Sequence, residues 1–170
     1  GRHEWLPLAP QGRVEVDFPG QGVRWGGPGY LDSNRGAEPL ETGFRRWHWS
    51  RWPVPDGAIL LYDADLRGGG ATRLALRVGS DGTAEPIPPP PLATGPRSAW
   101  GIRRELRADA GFRPTLVRSL VDAPFYARAV MASRVGGRDV TGVHESLCLD
   151  RFSSRVVQAM LAFRMPRVAG

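Results

Sequence analysis

The sequence contains no lysine, and its 23 basic residues are all arginine. The arginines are scattered, and the densest places are only the pairs Arg45-Arg46 and Arg103-Arg104. Such a set is typical of GC-rich coding sequence. The formal net charge of +6 therefore does not indicate a nucleic-acid-binding protein, which would concentrate its basic residues in a patch. Weak attraction to an anionic membrane surface fits this charge better.

Cysteines and long apolar runs are also scarce. Cys148 is the one cysteine, so an internal disulfide is excluded and a reducing compartment is expected. The start of the sequence has no signal-peptide character, and no stretch approaches the roughly 18 apolar residues of a transmembrane helix. We therefore expect a cytoplasmic protein. If its substrate is a lipid, it must approach the membrane from the surface.

Motifs for nucleotide and metal binding are missing as well. Neither GxxxxGK[ST] nor GxGxxG occurs after a predicted strand, and the hydrolase motif Gly-x-Ser-x-Gly is absent. His3, His48 and His144 are isolated from one another rather than placed at metal-ligand spacing. The sequence predicts no cofactor and no metal.

Glycine and proline are abundant, with 22 and 16 residues, and they separate short apolar or aromatic runs. These runs predict strands at residues 13–18, 44–52, 58–62, 72–78, 100–106, 115–121, 126–133 and 143–149. Glycines at 26–29, 68–70 and 79–82 predict turns, and residues 153–160 predict a short helix. Evenly spaced strands with one C-terminal helix indicate an all-β antiparallel barrel or sandwich.

A polar cluster lies in the segment Gly29–Gly36. If the segment is extended, Tyr30, Asp32 and Asn34 share one face, and a phenol, a carboxyl and an amide side by side can serve acid–base chemistry. Asp, Asn, Ser and Gly are also turn residues, so the end of a hairpin is the alternative interpretation.

An aromatic cluster follows. Trp47 and Trp49 share one face of the predicted strand at residues 44–52. Aromatic strands are usually core; the functional alternative is the wall of a pocket for an apolar ligand. We interpret His48, on the other face, as a hydrogen-bonded structural histidine.

Three segments carry a resemblance to a known family: GYLDSNRGAEPLETGFRRWHWSR, DAPFYARAV and VHESLCLDRFSSRVVQAMLAFRMPR. They resemble the carotenoid 1,2-hydratases, also called hydroxyneurosporene synthases, and together span nearly the whole chain. The resemblance implies a lipocalin-like fold and hydration of the terminal 1,2 double bond of an acyclic carotenoid, of lycopene or neurosporene type, to a tertiary alcohol.

The resemblance also implies a domain organisation and partners. Members of the family are longer, so residues 1–170 are expected to form one lipocalin-like domain, the C-terminal domain of a two-domain protein. The expected partners are the acyclic carotenoid, the missing N-terminal domain and, peripherally, the inner photosynthetic membrane.

The resemblance implies a catalytic set, namely His3, Trp5, Tyr30 and Asp32. The patterns above add three substrate-binding candidates, namely Asn34, Trp47 and Trp49. In our hypothesis Asp32 gives a proton to the double bond, which requires a carboxyl kept protonated in an apolar pocket. Tyr30 orients Asp32, and the Trp5 ring stabilises the cation by about 2 kcal/mol. His3 accepts a proton from the attacking water.

Two other functions stay open at this point. A related lipocalin-like enzyme folds and cyclises a polyene by shape alone, and a noncatalytic carrier of apolar ligands would use the same aromatic pocket. The mass of the product distinguishes the three functions: gain of one water, an isomer, or no change. A structural half-domain would instead expose an apolar face.

Overall fold

The computed structural model describes residues 2–163, and antiparallel strands account for most of them. The strands are β1 (His3–Phe18), β2 (Val23–Gly36), β3 (Phe44–Val54), β4 (Gly57–Leu66), β5 (Ala71–Gly79), β6 (Ala84–Pro86), β7 (Leu92–Thr94), β8 (Glu105–Arg107), β9 (Thr115–Asp122), β10 (Tyr126–Val135) and β11 (Arg138–Cys148). Three short helices are α1 (Leu40–Gly43), α2 (Leu149–Phe152) and α3 (Arg155–Met160). Within residues 2–163, no helix is long and apolar enough to cross a bilayer.

Seven strands form one antiparallel sheet in the order β6-β5-β4-β3-β11-β10-β9. Successive hairpins connect β3, β4, β5 and β6. Two further hairpins connect β9, β10 and β11. The two groups meet where β11 pairs with β3, with Glu145 opposite Trp49. This long-range pairing brings the aromatic strand and the C-terminal motif side by side.

Two separate hairpins cover the two faces of this sheet. The face that we call the hairpin face lies under β1 and β2 and buries Trp49 and Val78. The opposite face lies under β7 and β8, where Leu106 packs against Trp52 and Met131. The sheet therefore separates two interior regions.

A buried ion pair attaches β8 to the opposite face. The Arg107 guanidinium donates to both carboxylate oxygens of Asp63 at 2.7 to 3.0 Å. Both groups are nearly buried, so loss of Asp63 would leave the Arg107 charge uncompensated. Asp63 has a second partner, because Arg73 Nε lies 3.2 Å from its carboxylate.

The expected all-β antiparallel fold is confirmed, and all but one of the predicted strands are present. The strand predicted at residues 100–106 is wrong for most of its length, since only β8 forms there. The preceding residues make a tight loop with Gly101 in the left-handed region at φ 72°. The Ser98 hydroxyl accepts a hydrogen bond from the Ile102 amide.

The turn predicted at residues 26–29 is also wrong, because these residues lie inside β2. The hairpin reverses at Pro19–Gln21, followed by Gly22 at φ 64°. Each strand of a two-stranded hairpin has one unpaired edge, so the missing amide hydrogen of Pro28 is tolerated there.

The short helix predicted at residues 153–160 is confirmed as α3, although it begins at Arg155. Ser154 is its N-cap residue, without a side-chain capping hydrogen bond. The last part of the C-terminal motif, residues 164–167, lies outside the described residues.

Candidate active site

One row of side chains across five strands forms the floor of the site. Successive cross-strand pairs on the hairpin face join Arg128, Glu145, Trp49, Tyr62 and Leu74 on β10, β11, β3, β4 and β5. Side chains in directly opposed positions of an antiparallel sheet are neighbours. The row therefore runs from an ion pair at one end to apolar side chains at the other.

The hairpin forms the roof. Trp5 on β1 is opposite Asn34 on β2, and Tyr30, Asp32 and Asn34 share the inner face of β2, as period two predicts. The Trp5 ring stacks on Tyr62 with centroids 5.5 Å apart, and the Tyr30 ring lies 4.9 Å from Trp49. Aromatic contacts thus fix the roof to the floor.

Asp32 lies at the centre of this interface and accepts two hydrogen bonds on one oxygen. The Trp5 indole Nε1 donates to Asp32 Oδ2 at 2.7 Å, and the Tyr30 hydroxyl donates to the same atom at 3.1 Å. Within residues 2–163, no protein group donates to Oδ1. One oxygen is therefore held in place by two donors, and the other is free of them.

Two adjoining cavities separate roof and floor. The larger, of about 450 Å³, is lined by His3, Phe44 and Leu74 among others. The smaller, of about 180 Å³, contains Asp32 and Tyr30. Four residues line both cavities, namely Trp5, Asn34, Trp47 and Tyr62. A long apolar molecule in the larger cavity could therefore present one end to Asp32.

Burial and the Asp32 charge act on the two phenols. Burial, followed by the nearby Asp32 carboxylate, raises the pKa of Tyr30 well above its ordinary value. The same two causes raise the pKa of Tyr62 to about 12. Both phenols therefore remain protonated at physiological pH, so Tyr30 acts as a hydrogen-bond donor.

His3 lies at the far end of the larger cavity from Asp32. The register places His3 opposite Gly36 and Asp32 opposite Pro7, which separates the two pairs by about 13 Å along the strands. The His3 ring packs 4.8 Å from Phe44, and its Nε2 lies 3.4 Å from Glu38. His3 thus lines the larger cavity and Asp32 the smaller one, and the two side chains do not touch.

Glu145 is a site residue that the sequence did not reveal. It lines the smaller cavity together with Asp32, and Arg128 Nε lies 3.2 Å from its carboxylate. Burial raises the pKa of Glu145, and the Asp32 charge acts in the same direction against the opposing effect of Arg128. Strand alternation alone does not connect Glu145 with Asp32. The pairing of β11 with β3 sets Glu145 opposite Trp49 and so brings it into the cavity that Asp32 lines.

Trp47 and Trp49 line the site, although Trp49 is also almost fully buried core. The two interpretations of the aromatic strand are therefore compatible. Within residues 2–163, no three His, Cys, Asp or Glu side chains are grouped closely enough to hold a metal ion.

Comparison with known proteins places these features in a family. The family model described as carotenoid hydratase CrtC matches residues 1–170. A protein of Thiocapsa roseopersicina described as acyclic carotenoid 1,2-hydratase is 51% identical over 99% of this chain and 42% of its own length. One of Cereibacter sphaeroides with the same description is 49% identical over 100% of this chain and 61% of its own length. The chain therefore spans only part of the relatives that it matches.

A solved structure supports the fold. The crystal structure of a Nitrosomonas europaea protein described as AttH superposes with a TM-score of 0.52 and 18% identity, over 81% of this chain and 49% of that protein. The expected lipocalin-like type of antiparallel fold is thereby confirmed.

Proposed function

The chain belongs to the carotenoid hydratase family, and from that premise we propose that the protein adds water to the terminal 1,2 double bond of an acyclic carotenoid. The relatives named above are described as acyclic carotenoid 1,2-hydratases. The observation that carries the proposal is the Asp32 carboxyl, held by Trp5 and Tyr30 in a small polar cavity that adjoins a larger, mainly apolar one.

Acid catalysis begins with Asp32. Its Oδ1 hydrogen is transferred to the less substituted carbon of the double bond, and the π electrons form the new C–H bond, leaving a tertiary cation. In this proposal Asp32 enters the step protonated and Glu145 enters it ionised, beside the Arg128 guanidinium. Faces of Trp47 and Tyr62 in the shared lining supply cation–π stabilisation of about 2 kcal/mol when dry.

Water then adds to the cation and loses a proton. We propose Glu145 as the acceptor, because it borders the same cavity as Asp32 and the reacting carbons are adjacent. Glu145 then releases this proton to solvent and Asp32 takes up another, which restores both groups. His3 lies about 13 Å farther along the hairpin. We propose that it lines the larger cavity, which holds the polyene, and contacts Glu38. It does not act on the same water.

One face of the β1–β2 hairpin offers an apolar surface to a further domain. The outer face of the β1–β2 hairpin exposes large apolar side chains, among them Leu8, Phe18, Trp25 and Leu31. Exposed patches of this kind mark interaction surfaces. We propose that residues 1–170 are a C-terminal domain and that an N-terminal domain covers this face.

We propose a peripheral association with the membrane because an acyclic carotenoid is dissolved in lipid. The excess of arginine, +6 in formal net charge, would favour an anionic surface.

The decisive experiment measures the products formed from lycopene by the full-length protein. We expect a product heavier by one water from the wild type and a loss of at least about 100-fold in Asp32→Asn. Asp17→Asn, a matched change on the exposed part of the same hairpin, should retain full activity. An isomer of lycopene would indicate cyclisation, unchanged lycopene would indicate a carrier, and retained hydration in Asp32→Asn would remove Asp32 from the acid role.

A further inference from the structure

A third cavity, of about 200 Å³, lies on the far side of the sheet from Asp32 and shares no lining residue with the other two. It is bounded by β3, the end of β11, α2 and the loop between β7 and β8. Four arginines contribute to its lining, namely Arg46, Arg97, Arg103 and Arg151. The proposed hydration uses none of them.

Backbone carbonyls hold two of these guanidiniums without neutralising them. Arg151 Nη1 donates to the carbonyl oxygens of Trp100 and Pro124 at 2.7 and 3.1 Å. Arg97 Nη1 donates to the Gly101 carbonyl at 3.1 Å. Because a carbonyl carries no net charge, both arginines keep their full positive charge at the cavity.

The other two arginines are only partly compensated. Arg46 Nε lies 2.6 Å from Asp65, which Arg73 also contacts at 2.7 Å. Glu105 is 3.8 Å from Arg46 and 3.6 Å from Arg103, longer than close charge-assisted hydrogen bonds. The lining therefore has an excess of positive charge.

A buried donor in the lining lacks a partner. His48 is 7% exposed, and its Nδ1 lies 3.0 Å from the Ser146 hydroxyl. Within residues 2–163, His48 Nε2 has no hydrogen-bond partner; the nearest carboxylate oxygen, on Glu105, is 3.6 Å away. The imidazole therefore borders the cavity with its Nε2 buried rather than open to it.

The serine contact explains which hydrogen His48 presents. Ser146 Oγ is also 2.9 Å from His144 Nε2, and His144 Nδ1 is 2.9 Å from Ser50 Oγ. If each hydroxyl donates to the Nδ1 of its histidine, every side-chain donor of these four residues is used except His48 Nε2–H. That hydrogen is buried, and the nearest carboxylate oxygen to its nitrogen is on Glu105.

We propose that this cavity binds a phosphate group, with the guanidiniums of Arg97, Arg103 and Arg151 as donors. Guanidinium groups match phosphate oxygens in pairs. This number of donors exceeds what the two oxygens of a carboxylate can accept. The volume of about 200 Å³ is several times the roughly 30 Å³ of one water molecule, so a tetrahedral oxyanion fits.

The phosphate group has two possible sources, the free anion and the headgroup of an anionic lipid. The test therefore has two arms with the full-length protein. In the first, inorganic phosphate is titrated calorimetrically. In the second, sedimentation is compared for vesicles of phosphatidylcholine with and without phosphatidic acid.

The informative variant is Arg97→Gln combined with Arg103→Gln, because both side chains are exposed on the loop and their loss should leave the fold intact. Arg118→Gln on exposed β9 is the matched control. We expect the affinity for phosphate to fall by about ten-fold for each guanidinium removed, with no change in the control.

Both sources support the proposal and differ in the second arm. If the ligand is a lipid headgroup, the double variant loses the preference for phosphatidic acid, and inorganic phosphate competes with the vesicles. If the ligand is free phosphate, only the first arm responds. A wild type that binds neither probe, or an equal loss in Arg118→Gln, would overturn the proposal; neither result would bear on hydration.

Discussion

Trp5 performs two tasks with one side chain. Its ring stacks on Tyr62, and its indole nitrogen donates to Asp32. The sequence-based hypothesis assigned Trp5 to the cation through its ring face, and the structure adds a hydrogen bond to the carboxyl. Since Tyr62 covers one face of the ring, we infer that Trp5 acts mainly by holding Asp32 in place.

Trp5→Phe separates these tasks, because phenylalanine keeps an aromatic ring against Tyr62 and lacks the donor. We expect kcat for hydration to fall by about ten- to a hundred-fold, as for a slightly misplaced catalytic group, while KM stays nearly constant. Trp25→Phe, on the exposed outer face of the hairpin, is the control. A rise in KM at constant kcat would instead make Trp5 a substrate-binding residue.

The pH dependence of kcat tests whether Glu145 is the proton acceptor. A proton acceptor works in its ionised form, so the rate should rise with pH through the pKa of Glu145. Burial places this pKa above the ordinary value of 4.5, and the rising limb is therefore expected above that pH. Glu145→Gln should abolish the limb and slow hydration by about 100-fold.

The matched variant for this experiment is Glu15→Gln, since Glu15 is exposed near the hairpin turn. It should keep the wild-type pH profile. A limb that persists unchanged in Glu145→Gln would show that another group accepts the proton.

At the scale of the element, the β1–β2 hairpin sets the position of His3. The register brings His3 opposite Gly36, and a Cβ at that glycine would lie less than 2.5 Å from the imidazole. A Cβ at Gly27, farther along the same strand, would meet nothing within 4 Å. The two glycines therefore form a natural pair for testing the hairpin.

Gly36→Ala should displace the His3 ring and raise KM for the polyene by about ten-fold, corresponding to the loss of about 1.4 kcal/mol of binding. Gly27→Ala should behave as wild type. Steady-state hydration measures both. Equal kinetics in the two variants would show that the position of the His3 ring does not affect binding of the polyene.

The elements also show what could be predicted from the sequence. Alternation placed Tyr30, Asp32 and Asn34 on one face, because side-chain direction along a strand is a local property. The straight course of β2 through Gly26 and Pro28 was missed, since an unpaired edge accepts residues that usually mark turns.

The remaining site residues depended on pairing between distant strands. Glu145 and Tyr62 lie next to Trp49 because β11 and β4 both pair with β3. Register between segments so far apart in sequence is set by the packing of the whole sheet. A local pattern therefore could not reveal that Glu145 belongs beside Asp32.

At the scale of the whole molecule, the seven-stranded sheet keeps two polar systems apart. Asp32 and Glu145 lie on the hairpin face, whereas His48 and His144 lie on the opposite face with their rings stacked 6.0 Å apart. Strand alternation makes this separation inevitable, since Glu145 and His144 are successive residues. Substitutions in the histidine cluster should therefore affect stability before they affect hydration.

The pH dependence of unfolding follows from the same cluster. Burial, together with the Arg46 charge, lowers the pKa of His48 from 6.5 to about 4, and burial lowers the pKa of His144. The unfolded chain consequently binds more protons than the folded protein between these values, so the free energy of unfolding must fall as the pH decreases through this window. Asp65, whose pKa is lowered from 3.8, loses its contribution only at lower pH.

We expect His48 alone to reduce the free energy of unfolding by up to about 3 kcal/mol between pH 7 and pH 4, measured by urea denaturation across that range. His48→Gln retains a hydrogen-bonding side chain but cannot take up a proton, so its unfolding free energy should depend less steeply on pH, even if the variant is less stable at pH 7. Between pH 7 and 8 both proteins should give flat profiles. An equally steep decline in His48→Gln would mean that the buried imidazole is not the group that couples acid to unfolding.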